Sequence, residues 1–280
     1  MRAIIILVLA LPLAASCGES GASHSGQEKV VAAFYPLAFA AQQVGGNKVD
    51  VVNLTPAGAE PHDLEISPRD VADVRSADLV LLLGHGFQPQ LEDAAGNGDN
   101  VLRLLDTPGL DRFSNGDPHV WLDPLRYALI VKRIGTALHA EGAARRVVER
   151  LHSLDVEYRR GLAQCARDEI VTSHEAFGYL AQRYGLRQIA ITGLTPEAEP
   201  KPQDLRRVVE LVRRTHATTV FFETLVSPRI AETVARETGA KTAVLDPIEG
   251  LTSDEQRQGD DYFTLMRSNL AHLRVALGCQ

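Results

Sequence analysis

The sequence predicts an α/β protein of two lobes, each with a mainly parallel four-stranded sheet flanked by helices, joined by one long helix. Three observations support this. Short β-prone runs alternate with helical stretches, the same scheme recurs in the second half, and a long amphipathic stretch separates the halves. Alternating strands and helices predict parallel sheets with covering helices. The chain that follows the N-terminal segment, roughly 250 residues, also exceeds the usual size of one core.

The predicted elements follow one another in the same way in both lobes. In the first lobe, residues 29–140, we expect strands at 29–34, 48–54, 78–83 and 100–104, with helices at 37–44 and 68–76. In the second lobe, residues 168–280, we expect strands at 170–172, 188–192, 218–222 and 241–245, with helices at 177–184, 203–215 and 228–238.

The stretch between the lobes predicts two helical segments. The first covers 124–140, and the second, 141–167, is the expected connector. Apolar residues recur among charged ones there, and no proline follows Pro124 before the second lobe. A helix over 143–167 would be on the order of 35 Å long, enough to run the height of a two-lobe protein. A surface helix confined to one lobe is the alternative.

The N-terminus predicts export and a lipid anchor. Residues 1–16 supply one cation and an apolar run of signal-peptide length, and Ala14-Ala15-Ser16-Cys17 resembles the bacterial lipobox. Residues 17–28 are mostly small and polar, which is typical of a flexible tether. We therefore expect an extracytoplasmic protein, periplasmic or at the cell surface, held to the membrane by lipid on Cys17. An ordinary secretory signal with a chance cysteine is the alternative.

The composition limits the kinds of binding partner to expect. The chain has 36 acidic and 29 basic residues, a net charge of -7, and no basic cluster with an aromatic platform, so nucleic acid is not an expected partner. Besides Cys17, only Cys165 and Cys279 remain. In an oxidising compartment this pair favours a disulfide, and two buried free thiols are the alternative.

Four residues form the candidate metal site. His62, His119, His174 and Asp246 each lie in a turn-like segment, either just beyond a β-branched or leucine-rich run or in the loop after one. Open α/β sheets bind their ligands at that edge. Three imidazoles and a carboxylate are the donors that a tetrahedral divalent cation takes, zinc before others. The pattern thus predicts one bound Zn²⁺.

Each of these residues also has a plainer interpretation. A lone histidine is more often structural, and Asp246 precedes Pro247 in what could be an ordinary turn. The neighbours Glu60 and Glu175 could act as general bases or could orient imidazoles by accepting their N–H groups.

The same segments resemble a known family over nearly the whole mature chain. The matching motifs include PAGAEPHD at 56–63, PHVWLDP at 118–124, HEAFGY at 174–179, TPEAEP at 195–200 and FET at 222–224. Together they look like the zinc/manganese solute-binding proteins of ABC importers. The resemblance implies a metal in the cleft between two lobes, with ligand roles for His62 and His119 from the first lobe and His174 and Asp246 from the second.

The resemblance also bears on the choice of metal. Manganese-selective relatives tend to have glutamate where His174 stands, so the histidine favours zinc, with Mn²⁺ as the alternative cargo. Segment 107–117 is short and lacks the histidines of the long loop found in many zinc-specific relatives, and segment 86–90 lacks the usual glutamate and tryptophan. His85 and Gln88 are therefore expected at the surface or behind the ligands.

The expected function is capture of zinc outside the cell and its delivery, by a monomer, to the permease of an ABC importer; we do not expect an enzyme. A secreted zinc metallohydrolase is one alternative, although catalytic zinc usually keeps an open position for water. A metal-binding surface adhesin or storage lipoprotein on the same fold is the other.

Overall fold

The computed structural model describes residues 26–110, 113 and 115–280. The expected signal peptide, Cys17 and most of the tether lie outside the described residues. Within the described part, no helix is long and apolar enough to cross a membrane.

The first lobe contains one parallel four-stranded sheet. Its strands are β1 (Glu28–Ala32), β2 (Val49–Asn53), β3 (Leu79–Leu82) and β4 (Val101–Arg103), in the spatial order β2-β1-β3-β4. Its helices are α1 (Tyr35–Gly45), α2 (Pro68–Ser76) and α3 (Pro89–Ala95). All four residues of β3 are buried, as expected for a strand covered on both faces. Helix α2 begins after Ser67, which forms a capping box with Asp70.

The second lobe repeats this arrangement. Strands β5 (Glu169–Thr172), β6 (Arg187–Ala190), β7 (Thr219–Phe222) and β8 (Lys241–Val244) form a parallel sheet in the order β6-β5-β7-β8. The order matches that of the first sheet, and the predicted fold class is confirmed. In both sheets the central pair consists of the first and third strands, which leaves a crevice at their carboxyl ends.

Two helices occupy the stretch between the sheets. Helix α4 spans Pro124–Ala137 and α5 spans Glu141–Gly161, about 32 Å at the usual rise. Helix α5 ends at Gly161, earlier than the expected Arg167, because the chain then turns toward the C-terminus. The amides of Ala166 and Arg167 donate to the carbonyl of Leu277 at 3.0 and 3.1 Å.

The remaining helices belong to the second lobe. They are α6 (Gly178–Tyr184), α7 (Pro202–Thr215), α8 (Arg229–Thr238), α9 (Ser253–Gln258) and α10 (Tyr262–Leu277). Tyr158 of α5 donates through its hydroxyl to the carbonyl of Met266 in α10 at 2.6 Å. One hydrophobic core contains residues of both lobes, and a smaller one lies under α7 and α8.

The predicted bond between Cys165 and Cys279 is confirmed. It joins the segment that follows α5 to the second residue after α10, across a sequence separation of 114 residues. The terminal helix is thereby fixed to the start of the second lobe.

Candidate metal centre

Four loops converge between the two lobes. His62 follows β2, His119 follows β4, His174 follows β5 and Glu249 follows β8. One donor atom from each of these residues lies within 4.8 Å of the others. Each lobe thus contributes two donors, and among the described residues no second group of three or more such donors occurs.

The donor atoms face a common point. Oε1 of Glu249 lies 2.9 Å from Nε2 of His119, 3.3 Å from Nε2 of His62 and 3.6 Å from Nε2 of His174. The Nε2 atoms of His119 and His174 are 3.3 Å apart. Two imidazole nitrogens this close, facing one carboxylate oxygen, form a donor set that a small cation can hold together.

Asp246, the carboxylate expected from the sequence, is not part of this group. Its Oδ1 accepts the amide of Ile248 at 2.7 Å and its Oδ2 accepts the hydroxyl of Thr224 at 3.3 Å. The structure brings Glu249 to the three histidines instead. The loop after β8 contains two carboxylates three residues apart, Asp246 and Glu249. Their spacing alone does not say which of them a left-handed turn at Ile248 directs toward the histidines.

Two of the imidazoles are fixed from behind by carboxylates. Nδ1 of His119 lies 2.7 Å from Oδ1 of Asp117, and Nδ1 of His174 lies 2.7 Å from Oε1 of Glu223. Each carboxylate accepts the Nδ1 proton, which leaves Nε2 as the metal-facing atom. Ser173 also donates to Glu223. Both carboxylates are almost fully buried.

These supporting carboxylates differ from those suggested by the sequence. Among the described residues, the acceptors of the Nδ1 protons are Asp117 and Glu223, and not Glu60 or Glu175. Glu175 lines a separate cavity with Lys201 and Arg207. Asp117 could have been identified from its position two residues before His119. Glu223 stands in the FET motif at 222–224, but it lies 49 residues from His174, so that only the fold shows that the two residues meet.

The loop that carries His62 is held differently. Gln88, which is buried, donates through Nε2 to the carbonyl of Pro61 at 3.2 Å. Oε1 of Glu60 accepts the amide of His62 at 3.1 Å, while Oε2 of Glu60 is buried without a hydrogen-bond partner. His62 is thus fixed mainly through its backbone, and its side chain is 10% exposed.

Electrostatics couple the histidines to Glu249. Burial would lower the pKa of His174, but its hydrogen bonds to Glu223 and Glu249 outweigh this and raise the pKa to about 10. The pKa of His119 is raised because hydrogen bonds to Asp117 and Glu249 likewise overcome burial. Burial would raise the pKa of Glu249, yet its contacts with all three histidines hold that pKa well below the usual range. Glu249 is therefore an anion that can balance part of a cation's charge.

The pKa of Glu60 is shifted in the opposite direction from that of Glu249. Burial, and then the charge of Glu249, raise the pKa of Glu60 to about 9. At neutral pH it is a protonated acid beside the donor group. A divalent cation bound next to it would favour its ionised form.

A cavity of about 530 Å³ leads to the donors from the surface. His62, Asp63, His85 and Asp117 line it from the first lobe, and Thr195 lines it from the second. His85 is partly exposed and pairs with Asp106 at 2.7 Å. The cavity gives a small ion a route to the side of the group where His62 lies.

Comparison with known proteins shows which family the chain resembles. Residues 30–276 match the family model described as "ZnuA: Zinc-uptake complex component A periplasmic". The chain is 31% identical over 309 residues to the high-affinity zinc uptake system protein ZnuA of Bacillus subtilis, covering 98% of this chain and 97% of that protein. It is 34% identical to the zinc-binding protein AdcA of Streptococcus pyogenes, covering 89% of this chain but only 56% of that relative. Among solved structures, the Zn(II)-bound ZnuA-like domain of Streptococcus pneumoniae AdcA superposes with a TM-score of 0.77 at 34% identity, covering 90% of this chain and 99% of that domain.

Proposed function

The chain belongs to the family of component A of zinc-uptake complexes, and from this premise we propose that it captures Zn²⁺ outside the cytoplasm and delivers it to the permease of an ABC importer. The observation that carries the proposal is the group formed by His62, His119, His174 and Glu249. Its donors come in equal number from two lobes, so that even a small rocking of one lobe against the other would change the distances between them.

We propose these four residues as the zinc ligands, with Glu249 in the place that the sequence suggested for Asp246. Three nitrogen donors and one carboxylate suit zinc better than manganese, which prefers oxygen donors. The nearest Nε2 atom lies 2.9 Å from Oε1 of Glu249. A bound zinc, with ligand distances of about 2.0–2.2 Å, would require only small shifts of the side chains.

The donor set supports transport over hydrolysis. Four protein ligands fill a tetrahedral shell and leave no open position for a catalytic water. The acid Glu60 lies beside the ligands, but it would have no activated water to deprotonate. We therefore propose a binding protein with no enzymatic activity of its own.

We further propose that the protein acts as a monomer outside the cytoplasm, in the periplasm or at the cell surface. Lipid on Cys17 would anchor it to the bacterial membrane. A tethered receptor stays near its permease, which raises its effective concentration there.

Complementation tests the proposal. A strain that lacks the gene should grow poorly at limiting zinc and should recover when zinc is added. The parent chain should restore growth, and so should His152→Ala, which removes an exposed histidine of α5. His174→Ala should not restore it. Equal growth with His174→Ala and the parent would contradict the proposal, as would rescue by manganese and not by zinc.

A further inference from the structure

We propose that Asp246 is a positioning residue that holds the turn from which Glu249 reaches the metal. This inference rests on the proposed function, since it takes Glu249 to be a zinc ligand. It assigns Asp246 a role behind the ligand in place of the ligand role that the sequence suggested.

The turn before Glu249 contains a strained residue. Ile248 has a φ of 57°, in the left-handed region, and its side chain is fully buried. A β-branched residue rarely adopts this conformation, because its side chain crowds the backbone there. Such a conformation is energetically unfavourable and persists only where the surroundings enforce it.

Asp246 supplies a contact that enforces this conformation. Its Oδ1 accepts the amide of Ile248 at 2.7 Å, two residues along the chain, which is the geometry of an aspartate turn. Without that acceptor, the amide would be buried without a partner, and the backbone would gain by rotating toward an ordinary conformation. Because Glu249 directly follows, such a rotation would change the direction of its side chain.

Asp246 is itself fixed by the helix behind it. Its amide donates to Oδ1 of Asn269 in α10 at 2.8 Å, and Nδ2 of Asn269 donates to the carbonyl of Asp246 at 2.6 Å. Both residues are almost fully buried. The backbone of the residue that supplies the acceptor for Ile248 is therefore anchored to a helix.

The second carboxylate oxygen links Asp246 to the other donor of this lobe. Oδ2 accepts the hydroxyl of Thr224 at 3.3 Å. Thr224 follows Glu223, which accepts the Nδ1 proton of His174. One carboxylate thus supports the turn of Glu249 with one oxygen and the segment behind His174 with the other.

Zinc affinity of variants of the purified full chain, measured by competition with a chelating dye, tests this role. Asp246→Ala should weaken zinc binding about 10- to 100-fold, as loss of a group that supports a ligand usually does. Asp246→Asn should bind close to the parent, because its amide oxygen can still accept the amide of Ile248. A true ligand would not tolerate that change.

A matched control separates positioning from general destabilisation. Asp261 caps α10 by accepting the amides of Phe263 and Thr264 at 2.8 and 2.9 Å, so Asp261→Ala removes comparable hydrogen bonds in the same lobe. It should lower the melting temperature of the zinc-free protein without changing zinc affinity. The visible spectrum of bound Co²⁺ should change in Asp246→Ala and should stay as in the parent in Asp261→Ala.

Two results would overturn this inference without overturning the proposed ligand set. One is parent-like affinity in Asp246→Ala, and the other is a loss of more than about tenfold in Asp246→Asn, which would instead indicate direct ligation. The second result remains decisive if Asp246→Ala does not fold. Parent-like affinity in Glu249→Gln would overturn the proposed ligand set, and this inference with it.

Discussion

Trp121 donates through its indole Nε1 to the carbonyl of Pro247 at 2.7 Å. This bond crosses between the lobes, because Trp121 lies two residues after His119 and Pro247 lies two residues before Glu249. The carbonyl of Trp121 in turn accepts the hydroxyl of Tyr262 at 2.6 Å. Trp121, Pro247 and Tyr262 are all buried. The loops that carry donors of opposite lobes are therefore fixed to each other next to the candidate site.

Replacing His119 by alanine should weaken zinc binding by more than about 100-fold, because a lost ligand costs more than the 10- to 100-fold typical of a supporting residue. Competition with a chelating dye measures this. The fold should persist, since the side chain contributes to the site more than to a helix or sheet. His152→Ala, on the exposed face of α5, is the control and should bind like the parent. Equal affinity of the His119 variant and the parent would exclude His119 as a ligand.

Zinc affinity should rise with pH. The pKa of His174 is raised to about 10 and that of His119 is also raised, so protons occupy the donor group well above neutral pH and zinc must displace them. The ion pairs that His174 and His119 make as cations should stabilise the zinc-free protein fully below the ordinary histidine pKa of about 6.5. For His174 this stabilisation should disappear as pH rises through its raised pKa of about 10.

Titrations at several pH values, corrected for the dye's own protonation, should give more than one proton released for each zinc bound. Zinc affinity that does not change between pH 5.5 and 8.5 would contradict a site dominated by histidine.

The fold was predictable from the sequence, while part of the site was not. The strands follow from short β-prone runs that alternate with helical stretches. The clearest case is β3, which is apolar at every position, as a parallel strand buried on both faces requires. His62, His119 and His174 could be found because each lies in a loop just past a strand. Glu249 could not be distinguished from Asp246, because the choice depends on a left-handed turn at Ile248 that its β-branched side chain disfavours. The contact of Glu223 with His174 could not be predicted, because it is made only by tertiary packing between residues 49 positions apart.

The disulfide should contribute strongly to stability without affecting the site. Replacing Cys165 and Cys279 together by alanine should lower the free energy of unfolding by about 3–5 kcal/mol, because the bond closes a long loop in the unfolded chain. Urea denaturation of the oxidised parent and the variant measures the difference, and zinc affinity should not change. An equal midpoint in both proteins would contradict the expectation.

Arg183, in α6, should stabilise the contacts of this helix with α5 and with the start of α4. Its Nε lies 2.6 Å from Asp155 of α5 and 3.2 Å from Asp123 at the start of α4. Arg183→Met should cost about 3 kcal/mol of unfolding free energy, because it removes a cation from two buried carboxylates. Arg159→Met removes the exposed partner of the same Asp155 and should cost less than about 1 kcal/mol. Equal losses in the two variants would show that burial of the pair does not matter.

Zinc binding should leave the overall shape of the protein nearly unchanged. The lobes share one hydrophobic core, and the Trp121–Pro247 bond and the contacts of Arg183 join them directly. Release would then require a small rocking of the lobes or a local movement of the loop that carries His62. X-ray scattering of zinc-free and zinc-bound protein should give nearly superimposable curves. A large change in the radius of gyration would indicate a wide hinge instead.

The central claim is that one zinc is bound by His62, His119, His174 and Glu249. A crystal of the zinc-loaded protein, with anomalous diffraction recorded on both sides of the zinc edge, tests it most directly. We predict one strong anomalous peak per chain, with Nε2 of the three histidines and a carboxylate oxygen of Glu249 at about 2.0–2.2 Å. A peak elsewhere, or one coordinated by Asp246 with Glu249 turned away, would contradict the account.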